Sequence, residues 1–124
     1  MVEIKPQLYS SKVHLVMASK WLLRSLSNSK SIDLRNDLLK AIEHVEASAK
    51  NLKQINSKYQ KNLDALAKLL QEYKKQLDKK NLREIQDKIK SLFYELGVLY
   101  EALNILINDD FKLLMIEQNN LLSQ

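Results

Sequence analysis

The chain has few side chains of the kinds that catalyse reactions or hold metal ions. It contains two histidines, His14 and His44, and no cysteine. Glu43 and Glu46 flank His44, but neither histidine has a partner at metal-ligand spacing, and helical periodicity places His44 on an outward face. His14 lies beside an apolar stripe, where a partly buried imidazole is more common than a catalytic one. The sequence therefore predicts no metal site and no cofactor.

The other residue patterns typical of enzymes are also missing from the sequence. The serines gather at expected helix ends, which is the distribution of capping residues rather than of nucleophiles. A single glycine excludes a phosphate-binding P-loop and a dinucleotide-binding fingerprint. Asp109 and Asp110 are adjacent, and adjacent residues of a helix point about 100° apart, so capping explains them better than acid–base catalysis. We expect a protein that is not an enzyme.

The composition predicts an all-α fold. Among 124 residues there are one Gly and one Pro, too few for the turns and breaks of a sheet protein. We expect a single domain over residues 1–124, in which residues 1–9 form a flexible arm because they lack periodicity and contain Pro6. No apolar run approaches the roughly 20 residues that cross a bilayer. The missing cysteines fit a reducing compartment, so we expect a cytoplasmic protein without membrane contact.

Apolar residues at helical spacing define a first helix, and we expect its broad apolar stripe to be buried; the stripe comprises Val13, Val16, Met17, Trp21, Leu22, Leu23 and Leu26. This helix is expected to begin at Ser10 or Ser11, either of which can cap it, and to end in the polar cluster of residues 27–31. Ser31 or Asp33 is then expected to cap the second helix.

From Leu38 to Leu77, apolar residues alternate spacings of four and three, with Asn56 as the one polar position of the pattern. This heptad pattern favours a single helix over residues 32–78, and a break near Asn56 and Ser57 is the alternative. If Asn56 lies in a core seam, Asn56→Leu should raise stability. The apolar stripe is too wide for one partner helix, so at least two other helices must cover it.

A step of five residues between Leu77 and Leu82 interrupts the pattern. Residues 78–81 are therefore expected to form a tight turn in which Asn81 caps the returning helix, which runs antiparallel to its predecessor. Residues 111–122 either continue that helix or fold back on it. The predicted fold is a long, coiled-coil-like antiparallel hairpin, packed with an N-terminal helix and a C-terminal helical segment into a three- or four-helix bundle.

Basic residues around the hairpin tip are the first candidate for binding. The candidate nucleic-acid-binding residues are Lys74, Lys75, Lys79, Lys80 and Arg83. Phosphate contact would explain such a cluster, but acidic residues are interspersed and no known nucleic-acid-binding motif accompanies it. Nucleic acid, either DNA or RNA, is therefore the alternative partner and not the favoured one.

An excess of apolar helix surface is the second candidate. After Phe93 the helix is apolar nearly all round, so we expect it to be buried on every side. The candidate oligomer interface comprises Tyr94, Val98, Tyr100, Ile107, Phe111 and Leu114. The chain is basic before residue 82 and acidic after it, so the tail of one copy attracts the front of another. The sequence predicts a scaffold or adaptor protein that forms homodimers or binds another protein. A bundle that closes on itself is the alternative for the apolar excess.

Overall fold

The computed structural model describes residues 5–123, and these residues form four α-helices without a strand. The helices are α1 (Pro6–Ser25), α2 (Ser31–Gln54), α3 (Gln60–Gln76) and α4 (Leu82–Leu122). Because the helices pack against one another, the prediction of an all-helical bundle is confirmed.

The four helices form a ring in which neighbours are antiparallel. α1 packs against α2 and α4, and α3 packs against the same two helices. α1 and α2 run in opposite directions. Ser11, early in α1, contacts Ser48, late in α2, whereas Asn28, just after α1, contacts Asp37, early in α2. The same reversal holds between α2 and α3 and between α1 and α4. The chain therefore follows an up-down-up-down path.

The hydrophobic core lies along the axis of the ring. α4 contributes a line of buried residues at helical spacing, namely Ile85, Ile89, Leu92, Leu96, Leu99, Leu103 and Ile107. The other three helices contribute Leu15, Leu22, Leu34, Leu38, Val45, Leu52, Leu63 and Leu70, among others. α3 and α4 approach each other least closely, although a short turn joins them.

Small side chains hold α1 close to α2. Ser11, Ala18, Ala41 and Ser48 are fully buried along this interface. The Ser11 hydroxyl donates to the carbonyl oxygen of Ser48 at 3.0 Å, and the Ser48 hydroxyl donates to that of Ser11 at 3.1 Å. A buried hydroxyl without a partner would cost about 1–3 kcal/mol, and this reciprocal pair avoids that cost on both helices.

Polar contacts also join the end of α1 to two neighbouring helices. The buried carboxylate of Asp37 accepts a hydrogen bond of 2.8 Å from the Asn28 side chain. Gln86, on α4, donates to the carbonyl oxygens of Ser25 and Asn28 at 3.0 and 2.9 Å. The segment that connects α1 to α2 is thus held by side chains from α2 and α4.

α1 begins earlier than predicted. Pro6 occupies the first turn of the helix, where a backbone N–H has no helical partner and its absence costs nothing. The predicted arm over residues 1–9 is therefore wrong from Pro6 onward, while residues 1–4 lie outside the described part of the chain. Ser10 and Ser11 do not cap the helix, because both lie inside it.

The predicted capping by Asn81 is confirmed. Its side-chain oxygen accepts a hydrogen bond of 3.0 Å from the backbone N–H of Glu84. The prediction for α2 is wrong: its N-cap is Lys30, without a side-chain cap, and Ser31 and Asp33 lie in the first turn. Asp33 there interacts favourably with the positive end of the helix dipole.

Asn56 ends α2 and reverses the chain. Its φ of 54° lies in the left-handed region, and it is exposed. The N–H of Ser57 donates to the carbonyl of Leu52 at 3.0 Å, and the N–H of Asn56 donates to that of Lys53 at 3.1 Å. This is the Schellman arrangement that terminates helices. The single helix predicted over residues 32–78 is therefore wrong, and the alternative, a break near Asn56 and Ser57, is observed.

α4 is a single continuous helix of 41 residues, about 60 Å long. Its last buried residue is Ile107, and a groove lined by Leu8 and Tyr59 borders it at Leu106 and Asp110. Residues 111–122 continue the same helix, so the segment does not fold back. We refer to residues 111–122 as the projecting segment.

Replacing Asn56 with Leu is expected to lower the free energy of unfolding by about 1–2 kcal/mol. In the left-handed conformation a Cβ atom comes too close to the backbone, and Asn tolerates this conformation better than Leu does. Asn56→Gly is the matched control and should leave stability unchanged or slightly higher. Urea denaturation followed by circular dichroism measures both variants. A Leu variant that is more stable than the native chain would contradict this prediction and indicate that position 56 lies in a core seam.

Candidate functional site

The two ends of the bundle differ in chemistry. The α1–α2 connection and the α3–α4 turn form one end, and we call it the basic end. The α2–α3 connection, the start of α1 and the point where the projecting segment leaves the bundle form the other end. The sequence-predicted basic residues and the predicted interface residues thus fall mainly on different parts of the molecule.

The basic end brings the predicted phosphate-contacting residues together. Lys75, Lys79, Lys80 and Arg83 are exposed and Lys74 is half-buried. Lys30, from the α1–α2 connection, is exposed at the same end. Sequence reasoning missed Lys30 because its proximity depends on the return of α3 along α2, which the predicted single helix over residues 32–78 lacked.

Acidic residues neutralise part of this charge. Asp78 accepts a hydrogen bond of 2.6 Å from Arg35, and Glu72 lies 3.8 Å from the Lys75 amine. Lys80 also lies close to Lys88, and the proximity of this second amine lowers the pKa of Lys88 below its ordinary value. The positive charge of the basic end is therefore partly balanced by carboxylates on α3 and in the α3–α4 turn.

An open groove of about 650 Å³ runs beside the start of α4. It is lined by Leu26, Ser29, Asn81, Leu82, Arg83, Gln86, Asp87 and Lys90. Within residues 5–123, each buried polar side-chain atom has a hydrogen-bond partner. The groove therefore carries surface charges of both signs and no buried polar group aimed at a ligand.

His14 and His44 contact each other between α1 and α2, with their ring planes tilted by 35°. Their Nδ1 atoms are 3.0 Å apart, and the ring centroids are separated by 5.2 Å. At this distance one Nδ1 donates a hydrogen bond and the other accepts it, so one hydrogen lies between the two rings. The prediction of an outward-facing His44 is wrong, because α1 covers that face of α2. Each histidine was assessed on its own helix, and their meeting could be found only from the antiparallel pairing.

The pKa of His44 is lowered by its surroundings. Burial contributes most, followed by repulsion from His14, and Lys40 acts in the same direction. Glu43 opposes them by stabilising the charged ring. A second proton on the pair would place two N–H groups against each other at hydrogen-bond distance, so the neutral form of His44 is the one that fits the interface.

α4 has a second face opposite its core line. A row of exposed residues follows the helix at spacings of three and four: Arg83, Asp87, Lys90, Tyr94, Val98, Glu101, Ile105, Asp109, Lys112 and Ile116. This spacing keeps the row on one side of the helix, and we call it the outer stripe. Tyr94 and Val98, at its centre, are 68% and 70% exposed. The expectation that α4 is buried on every side after Phe93 is therefore wrong.

The predicted interface residues divide into three groups. Tyr94 and Val98 lie on the outer stripe, and Phe111 is exposed in the projecting segment. Tyr100 and Leu114 are half-buried. Ile107 is only 5% exposed and belongs to the core, so in this fold it cannot contact a partner. The sequence pattern did not separate Ile107 from its neighbours because all of them are apolar.

An apolar groove of about 280 Å³ separates α1 from α4. It is lined by Val16, Ser19, Lys20, Leu23, Phe93, Gly97 and Tyr100. A Cβ atom added to Gly97 would meet nothing within 4 Å, so the groove is open at this point. Val16 and Leu23 are exposed residues that were predicted to be buried. In the sequence, the apolar positions of α1 spread over more than one face of the helix, and this spread was the available sign that some of them are exposed.

The projecting segment is apolar on several sides. Its exposed large apolar residues are Phe111, Leu113, Met115, Ile116, Leu121 and Leu122. No residue of the segment is buried. Leu114 and Glu117, on the side of the helix that continues the core line, are half-buried, and the other residues of the segment are exposed.

Comparison with known proteins adds no relative to this description. The chain matches no protein-family model, no curated protein and no solved structure. Within residues 5–123, no helix is long and apolar enough to cross a membrane. In the same residues, no three side chains of His, Cys, Asp or Glu converge where they could hold a metal ion.

The free energy of unfolding is expected to fall as the pH is lowered from about 7.5 to 5.5. The pKa of His44 is lower in the folded chain than its ordinary 6.5, so the unfolded chain binds the proton more tightly. The stability that neutral His44 provides is fully present above pH 6.5 and is lost as the pH falls toward the folded-state pKa.

Urea denaturation at several pH values measures this dependence. The double variant His14→Gln, His44→Gln is the control, because it lacks both imidazoles, and its stability should vary less over the same range. Equal pH dependence in the native chain and the double variant would show that the histidine pair is not linked to folding.

Proposed function

We propose that this protein is a non-enzymatic interaction protein, a scaffold or adaptor that binds other helices through α4. The observation that carries the proposal is the apolar surface of α4 outside the core, which comprises the centre of the outer stripe and the projecting segment. Clusters of exposed apolar side chains are costly to leave in water and are typical of sites that another protein covers.

The rigidity of α4 supports this proposal. Seven core residues hold the helix against the bundle, and the exposed side chains belong to the same continuous helix. A partner that binds this surface does not have to order the backbone, which reduces the entropic cost of association. Helical spacing of three and four is also the pattern by which amphipathic helices recognise grooves and other helices.

Self-association is part of the proposed function. A symmetric dimer uses the same surface of both copies, so one interface buries the exposed centre of the outer stripe on each of them. The opposite charges of the front and tail of the chain support an attraction between two copies.

The native chain is expected to have the mass of two chains in light scattering at micromolar concentration. Val98→Lys should shift it to the mass of one chain, because a charge then lies in the centre of the apolar contact. Ile32→Lys is the matched control, since Ile32 is an exposed apolar residue of α2, which does not border α4 in the ring. A native chain that stays at the mass of one copy at every concentration contradicts self-association.

Nucleic-acid binding is the second candidate function, and the gathering of lysines from two connections at the basic end favours it. Binding of duplex DNA or RNA should weaken steeply as salt rises, because each contacted phosphate releases counterions. The triple variant Lys79→Gln, Lys80→Gln, Arg83→Gln should flatten that slope by up to about three contacts.

Fluorescence anisotropy over a salt series measures the slope. The control variant, Lys50→Gln, Lys53→Gln, Lys61→Gln, removes the same charge from exposed positions at or near the other end of the bundle. Absence of binding at roughly 50 mM salt would exclude this second function.

A further inference from the structure

The charges of the outer stripe are distributed unequally about its apolar centre. Arg83 and Lys90 lie on the N-terminal side of Tyr94 and Val98, with Asp87 between them on the same face. Glu101 and Asp109 lie on the C-terminal side, before Lys112. The part of the stripe from Arg83 to Lys90 therefore has a net positive charge, and the part from Glu101 to Asp109 has a net negative charge over a similar length of helix.

We propose that two copies of this chain pair through their outer stripes, with the two α4 helices antiparallel and the two-fold axis midway between Tyr94 and Val98. Tyr94 of each copy then meets Val98 of the other. Lys90 meets Glu101, and Arg83 meets Asp109, because each pair lies at nearly equal distances along the helix from the axis. This inference rests on the proposed function, because it names the partner and geometry of the same surface.

The charges disfavour the opposite orientation. With the two helices parallel, each residue would meet its own copy, so Lys90 would face Lys90 and Glu101 would face Glu101, and like charges in contact repel. In the antiparallel pair, the attractive contacts occur twice by symmetry. Asp87 falls opposite Ile105 and forms no cross-pair, but Arg83 and Lys90 of its own helix lie four and three residues away and balance its charge.

The antiparallel pairing also leaves the projecting segments available. Each segment passes the partner's α3–α4 turn and extends beyond the partner's basic end, at opposite ends of the dimer. At 1.5 Å per residue, the two tips are about 80 Å apart. A dimer of this form would therefore present two separate apolar helix ends to further partners.

Charge reversal tests the proposed geometry. Lys90→Glu alone and Glu101→Lys alone should each raise the dimer dissociation constant about tenfold, because each places two like-charged contacts in the interface. The double variant Lys90→Glu, Glu101→Lys should return to within about threefold of the native constant. Lys50→Glu, an exposed change on α2, is the control for net charge. Sedimentation equilibrium at low ionic strength measures the constants of the native chain and the four variants, and circular dichroism verifies that each variant is folded.

Cysteine cross-linking gives a second readout, since the native chain contains no cysteine. A mixture of Tyr94→Cys and Val98→Cys chains should oxidise mainly to the mixed covalent dimer, and either chain alone should cross-link less. Equal cross-linking within Tyr94→Cys alone would indicate the parallel pair and overturn the proposal.

The outcomes also separate this inference from the proposed function. If Val98→Lys dissociates the dimer while the charge reversals have no effect, the outer stripe binds a second copy in another register, and only this inference fails. A dimer that Val98→Lys leaves intact would exclude the outer stripe as the interface, and both the inference and the proposed self-association surface would fail.

Discussion

The chain reversal at Asn56 is the constraint on which the bundle depends. If α2 continued into α3, the apolar stripe of residues 38–77 would extend along a single long rod, and one side of that rod would lack partners. A left-handed residue at position 56 folds this stripe in half, so its two parts face each other and the core line of α4. The four-helix ring and its enclosed core follow from that single backbone conformation.

In the closed ring, α4 carries most of the large apolar side chains that lie outside the core and are exposed. Its inner line completes the core, while its outer stripe and projecting segment contribute nothing to it. α1 and α2, by contrast, approach closely through small residues and satisfy their buried polar groups with each other. The buried polar contacts between helices therefore lie mainly in the first hairpin, whereas most of the exposed large apolar side chains lie on the last helix.

Periodicity was sufficient to predict an all-helical chain, the antiparallel return of the last helix after residue 81 and the capping role of Asn81, because these properties depend on local spacing. It could not distinguish Asn56 in a seam from Asn56 at a helix end, since both satisfy the heptad pattern. Two other features could be predicted only by knowing which helix covers which face. One is the contact between His14 and His44, and the other is the burial of Ile107 while Tyr94 is exposed. Those properties are tertiary, and a single apolar helix pattern does not contain them.

The continuity of α4 has a consequence for how the projecting segment can fold. An isolated helix of this length would have to nucleate before it could grow, at an equilibrium cost of about 4 kcal/mol for a nucleation constant near 10⁻³. Here the buried part of α4 serves as a permanent nucleus, and the segment adds residues by propagation alone. A partner that requires residues 111–122 as a helix therefore does not have to supply the nucleation free energy.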